Sequence, residues 1–147
     1  MVNLIGSHYD ILSGFGVNIQ VLKKYSVLLL PENIESKRDT DEFQDASGSV
    51  LMYKLLRSEG IKCANSKDIG IDSYLFERRG GDIWLGTIWI LENLISPFVI
   101  GIILHKFLKS QEQEYENCQV HLDLRFPNGD HIKYDGDIKK LCLLLYY

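Results

Sequence analysis

Glu77 and Glu92 are acidic residues whose sequence surroundings suggest a possible catalytic role. Glu77 opens the stretch 77–82, which continues with two arginines, two glycines and an aspartate. A carboxylate beside arginines could act on a phosphate group, because arginine binds phosphate oxygens through paired hydrogen bonds. Glu92 interrupts an apolar segment and, if buried, needs a partner such as Arg78, Lys106 or a bound protein. The simpler interpretations are a charged strand end before a turn, and a helix face open to water.

The histidines and cysteines complete no catalytic or metal-binding motif. The sequence has no GxSxG, Walker, HExxH, GxGxxG or CxxC pattern, and the acidic stretch 39–45 lacks the glycine and glutamate positions of an EF-hand. We therefore expect no metal and no cofactor, which argues against an enzyme without excluding one. The dispersed thiols predict reduced, mostly buried cysteines in a cytoplasmic protein. These residues are His8, His105, His121, His131, Cys63, Cys118 and Cys142.

Length and composition predict one compact domain over residues 1–147. The chain is 46% apolar and 24% charged, which is typical of a globular protein and excludes collagen-like, low-complexity and wholly disordered classes. The net charge of −4 argues against a broad nucleic-acid-binding surface. Two sub-parts, 1–65 and 66–147, are distinguished by their patterns.

The N-terminal part predicts a βαβ-like unit. Alternating apolar residues over 17–21 indicate a strand, and the apolar run 26–30 indicates a strand buried on both sides. Apolar residues four apart over 49–59 indicate a helix, after which 61–64 indicates a third strand. A crossover of this kind pairs its two strands in parallel.

The segment 83–104 is apolar throughout most of its length and predicts a long helix bent at its proline. It is long enough to cross a bilayer, which needs about 20 residues, but Glu92 near its centre opposes insertion. A core helix, a docking surface and a membrane contact all remain open. Trp84, Trp89, Glu92 and Phe98 are its candidate protein-binding residues.

The C-terminal part predicts a β-hairpin. Residues 119–126 alternate strictly between apolar and polar, and Asn128-Gly129 is a strong turn signal before the returning strand 131–134. A two-residue turn there would set Phe126 opposite His131, leaving His121 away from that pair.

The last residues, 138–147, predict a short helix with a leucine-rich face. The chain ends on LCLLLYY, which has no charged side chain. Such an end must be buried internally or against a partner, so Leu144 and Tyr147 join the candidate protein-binding residues. The predicted fold is thus α+β: a small mixed sheet, a βαβ-like N-terminal part, a long apolar helix, and a C-terminal hairpin plus short helix.

Residues 49–145 resemble the effector-associated constant component family of bacterial conflict systems. The resemblance rests on a helix ending LLRSEGIK, a long apolar segment, the hairpin VHLDLRFPNGDHIKYDG and a leucine-rich helix. It implies a small, non-enzymatic protein that accompanies a larger effector, such as a caspase-like or trypsin-like peptidase. Residues 26–65 are similar, over a shorter stretch, to the opening of flavodoxin-like signalling domains, including Toll/interleukin-receptor domains.

The leading hypothesis is a cytoplasmic adaptor that binds a larger effector in prokaryotic antiviral defence, with self-association also open. The first alternative is a small nucleotide- or phosphate-ester-cleaving effector that uses Glu77 or Glu92. The second is a membrane-associated toxin or anchor built on 83–104.

Overall fold

In the computed structural model, residues 6–78, 81–92, 101–106, 119–137 and 140 are described. They form an α+β fold with a mixed five-stranded sheet, a separate two-stranded sheet and short helices. The elements are α1 (Gly6–Gly14), α2 (Ile19–Leu22), β1 (Val27–Leu30), β2 (Phe43–Ala46), α3 (Ser49–Ser58), β3 (Cys63–Ala64), a 3-10 turn (Lys67–Ile69), β4 (Ser73–Phe76), β5 (Ile83–Ile90), helical residues 101–106, β6 (Gln119–Arg125) and β7 (His131–Asp137).

The large sheet has the strand order β3-β1-β5-β6-β7. β1 pairs with β3 in parallel, as the predicted crossover through α3 requires. β5 lies between β1, which runs antiparallel to it, and β6, which runs parallel. Strands from both predicted sub-parts therefore pair directly within one sheet. β2 and β4 form the second, parallel sheet.

The predicted long apolar helix over 83–104 is wrong. Its first residues form β5, the central strand, whose Ile88 to Ile90 are at most 2% exposed. A strand covered on both faces is apolar without alternation, so its composition resembles that of a buried helix. Gly86 has a φ of +74°, which a helix does not accommodate, and marks an irregularity in the pairing with β6. Only 101–106 is helical in the described part of this segment.

The strand predicted over 17–21 is also wrong. Asn18 is extended, and its side-chain oxygen accepts a hydrogen bond from the Gln20 backbone N–H at 3.0 Å. This N-cap starts α2 at Ile19, because it satisfies a backbone donor that the first turn leaves free. The polar stretch 32–48 contains β2.

The predicted hairpin is confirmed, but its turn is one residue longer than expected. His131 pairs with Arg125 rather than Phe126, and the Phe126 N–H donates to the Asp130 carbonyl at 2.9 Å. Gly129 has a φ of +94°, as expected for a three-residue loop that ends in a left-handed residue. The predicted helix over 138–147 falls outside the described residues, apart from the helical residue 140.

Core side chains cover one face of the large sheet, where the β7 residues are only partly buried, and half of the other face. The first core joins the sheet to α3 and to helical residues 101–106, with Met52, Leu56 and Leu104 at most 2% exposed. The second core packs α1, α2 and the 3-10 turn against β1 and Trp89. The opposite face of β6 and β7 carries polar side chains instead. In the described part of the chain, no helix has both the length and the apolarity needed to span a membrane.

Candidate functional site

The uncovered half of the sheet carries a charged surface formed by alternate residues of β6 and β7. The register sets His121 opposite Asp135, Asp123 opposite Lys133, and Arg125 opposite His131. Strand residues two apart share a face, so the polar half of the alternation seen in the sequence lies together here. Acidic and basic groups face each other across the first two of these pairs, an arrangement that stabilises neighbouring strands.

His121 is the centre of this surface and bridges three strands. Its Nδ1 lies 2.5 Å from Asp135 Oδ1 on β7, and its Nε2 lies 3.0 Å from Asp82 Oδ2, just before β5. The side chain is only 16% exposed. Burial alone would lower the pKa of His121, but the hydrogen bonds to Asp82 and Asp135 outweigh it and raise the pKa above its ordinary value. Both ring nitrogens donate only in the imidazolium form, which this arrangement therefore favours.

Asp82, just before β5, links this end of the strand to β6 through hydrogen bonds. Its carboxylate accepts a hydrogen bond from the Gln119 backbone N–H at 3.2 Å in addition to the bond with His121. The His121 hydrogen bond is the main reason that the pKa of Asp82 lies below its usual value, and the Gln119 N–H adds to the effect. The sequence had offered Asp82 only as part of a turn.

Trp84 lies between a histidine and an arginine. The His121 ring is stacked on it at 3.7 Å with an interplanar angle of 14°, and the Arg78 guanidinium lies 3.8 Å from its ring centroid. Two planar groups cannot both approach one face so closely, so they cover opposite faces of the indole. Arg78 is held there by a two-pronged ion pair with Glu32, with N–O distances of 2.6 and 2.5 Å.

A second set of ion pairs extends the surface toward the hairpin turn. His131 Nε2 lies 2.5 Å from Asp123 Oδ1, and Arg125 donates to Glu35 Oε2 at 2.6 Å. The Arg125 side chain is 17% exposed, so the Glu35 pair is well shielded at that end. Contacts of this kind link the loop after β1 to β6.

These residues surround a small groove beside Gly86, where the irregular step of β5 displaces the strand. Its volume is about 140 Å³, and Glu32, Trp84, Thr87, His121, Asp123, Lys133 and Asp135 are among the residues that line it. Ligand pockets usually measure about 300–1,000 Å³. The groove therefore fits a single side chain or a small ion better than a substrate molecule. Among the described residues, no three His, Cys, Asp or Glu side chains are grouped to hold a metal.

The candidate catalytic residues do not meet in this groove. Glu77 is exposed and Glu92 is partly buried, and neither lines it. The partners expected for Glu92 are engaged elsewhere: Arg78 binds Glu32, and Lys106 donates to Glu59 at 2.9 Å. Glu32 was missed because it lies far from Arg78 in the chain and no motif joins them.

The candidate protein-binding residues are dispersed. Trp84 is partly buried in the stack just described, whereas Trp89 is 1% exposed within the second core. Phe98, Leu144 and Tyr147 lie outside the described residues. Cys63 is fully buried in β3, and burial raises the pKa of its thiol to about 11.

Exposed apolar side chains occur at a different place, on β4. Tyr74 is 40% exposed and Leu75 is 43% exposed, although they are neighbours in one strand. Adjacent strand residues point to opposite faces, so both faces of β4 present apolar surface. The exposure of these side chains depends on β4 lying beside β2, outside the large sheet.

Comparison with protein-family models, curated proteins and solved structures finds no match to this chain.

Proposed function

We propose that this protein is a non-enzymatic accessory component that binds a larger effector protein. The exposed pair Tyr74 and Leu75 carries the proposal. Proteins usually protect edge strands with charged residues, as β7 does here with Lys133, Asp135 and Asp137. β4 carries none within its four residues. An unprotected edge strand with apolar side chains is suited to binding another protein.

The pairing of the charged groups in the groove argues against a catalytic role for them. His121 has both ring nitrogens bonded to carboxylates, and Glu32 uses both carboxylate oxygens on Arg78. Groups that satisfy one another in this way stabilise the sheet and are not free to act on a substrate. The resemblance of residues 49–145 to the effector-associated constant component family favours a prokaryotic conflict effector, of the peptidase type, as the partner.

The test is the mass of the complex that forms in the native host. Affinity-tagged protein is purified without detergent and passed over a gel-filtration column with light-scattering detection. We expect a species that contains this 16.9 kDa chain and one larger protein in a fixed ratio. A chain that elutes only at its own mass, or only as a multiple of it, contradicts the proposal.

A destabilised variant separates a true partner from a chaperone. Leu56 is 2% exposed in the first core, and Leu56→Ala should cost about 2–5 kcal/mol of stability without touching β4. A chaperone binds unfolded chain and would be captured in larger amounts by this variant. A partner of the folded protein is captured in equal or smaller amounts, and the opposite result counts against the proposal.

A further inference from the structure

Four strand edges end the sheets in the described part of the chain, and they differ in how they are protected. β3 has only two residues, and β7 carries alternating charges. The free side of β2 is occupied, because the Gln44 carbonyl accepts from the Glu32 N–H at 2.7 Å and the Gln44 N–H donates to Asn33 Oδ1 at 3.0 Å. Among the described residues, none gives the outer edge of β4 any of these protections.

The register identifies which backbone groups of β4 point outward. Since Gln44 directs its own N–H and C=O away from β4, β2 must pair with β4 through its neighbours Phe43 and Asp45. In a parallel ladder those neighbours bond to Tyr74, which is paired with Gln44. The N–H and C=O groups of Ser73 and Leu75 therefore point toward the outer edge, where an added strand could bond to them.

The charges beside β4 indicate what kind of strand fits. Asp72 and Glu77 flank the strand on either side, and both are exposed. A second copy paired through Ser73 and Leu75 would bring its own Asp72 and Glu77 to the two ends of this strand, which adds further negative charge there. The net charge of −4 on each copy opposes such self-pairing further.

We infer that the outer edge of β4 binds an extended segment of the partner protein, in which apolar residues are flanked by lysine or arginine. The inference rests on the proposed function and specifies its surface. The segment adds a strand through the outward backbone groups of Ser73 and Leu75, which gives affinity independent of sequence. Contacts with Leu75 and Tyr74 select apolar side chains, and Asp72 and Glu77 select the basic flanks.

Two peptides test this inference on the full-length protein. The probes are acetyl-Lys-Val-Val-Val-Val-Lys-amide, whose lysines are five residues apart like Asp72 and Glu77, and the same peptide with glutamate in place of lysine. Binding is followed by amide chemical shifts. We expect the lysine peptide to bind about tenfold more tightly, which corresponds to exchanging two attractive exposed charge pairs for two repulsive ones. Shifts should centre on Ser73 to Phe76. Equal affinities, or shifts centred elsewhere, overturn the inference.

Variants of the protein test whether the charge preference can be reversed, and they supply a matched control for the apolar contact. The double variant Asp72→Lys with Glu77→Lys should prefer the glutamate peptide, because its flanking charges are inverted. Leu75→Lys should weaken binding of the lysine peptide about tenfold, whereas Leu51→Lys should leave it unchanged, since Leu51 is equally exposed at 47% but lies on α3. The inference is overturned if Leu75→Lys and Leu51→Lys weaken peptide binding equally. It is also overturned if the wild-type protein is a dimer that Leu75→Lys dissociates, since the edge would then bind a second copy.

Different results would contradict the β4 binding site and the proposed accessory function. A native complex that forms normally with Leu75→Lys overturns the β4 site but leaves the accessory function intact. Peptide binding at β4 without any larger protein in the native purification overturns the accessory function instead.

Discussion

The substitution Gly48→Ala, which adds a single methyl group, tests the placement of β5. Gly48 immediately precedes α3, and its N–H donates to the Trp84 carbonyl at 2.7 Å. A Cβ at this position would meet the same carbonyl oxygen far inside van der Waals contact, and Leu85 Cδ2 at 3.0 Å. Gly48 has a φ of −77°, so alanine suffers no backbone strain there. The cost of Gly48→Ala arises only from the contact with β5.

The size of the effect follows from two contributions. Relieving the overlap requires the start of α3 to move away from β5, and overpacking of this kind costs about 1–3 kcal/mol. The displacement also weakens the hydrogen bond from Gly48 to Trp84, which contributes about 1 kcal/mol. Together they predict a loss of about 2–4 kcal/mol, or a fall in Tm of about 5–15 °C for a chain of this size.

The assay is chemical and thermal unfolding of Gly48→Ala beside Gly14→Ala. Gly14 is the last residue of α1 and has open space around it, so alanine there should be neutral or slightly stabilising. If Gly48→Ala is as stable as Gly14→Ala, Trp84 does not lie against the start of α3. The assignment of residues 83–90 to a central strand would then be refuted.

Two further predictions concern titrating groups. Burial opposes the charge on His121, but Asp82 and Asp135 raise its pKa above the unfolded value of about 6.5. The stabilisation is therefore complete below about pH 6.5 and is lost as the pH rises through the raised pKa. Denaturant unfolding from pH 5.5 to 9 should show wild type losing stability relative to His121→Asn, and parallel profiles would contradict this. Cys63, whose pKa burial raises to about 11, should react with iodoacetamide at pH 8 on the order of a hundredfold more slowly in folded than in unfolded protein, by peptide mass spectrometry. Equal rates would show that the thiol is accessible.

Local patterns in the sequence predicted the parts of the fold that depend on near neighbours. The alternation over 119–126 specifies β6 and its hairpin partner, since a strand with one polar face has period two. The apolar stripe over 49–59 specifies α3, and the short strands on either side are parallel as expected.

The central strand β5 could not be predicted from local sequence patterns. The second half of β5 is covered on both faces and most of its residues are apolar, so the segment lacks the alternation that distinguishes a strand from a buried helix. Its irregular step at Gly86 also depends on β6, which lies far along the chain. Because this segment was predicted as a helix, Trp89 was expected at a protein-binding surface, whereas it lies in the core.

The polar alternation of β6 was recognised in the sequence, but the contacts that build the charged surface were not. His121 and Asp82 are visible in the sequence, yet they meet only because β5 and β6 pair in parallel. Asp135 could have been assigned to His121 from a three-residue hairpin loop, whereas the two-residue turn gave the wrong register. The edge position of β4 depends on its pairing with β2, for which the sequence carries no local signal.

Amide hydrogen exchange on the native complex tests the central claim most directly. The protein is compared free and bound to the larger protein that copurifies with it, with peptides resolved over β4 and β5. We predict that binding slows exchange at Ser73 and Leu75, whose N–H groups point outward, and leaves the already buried strand Ile83–Ile90 unchanged. Unchanged exchange at Ser73 and Leu75, with slowing confined to other segments, would contradict binding through the edge of β4.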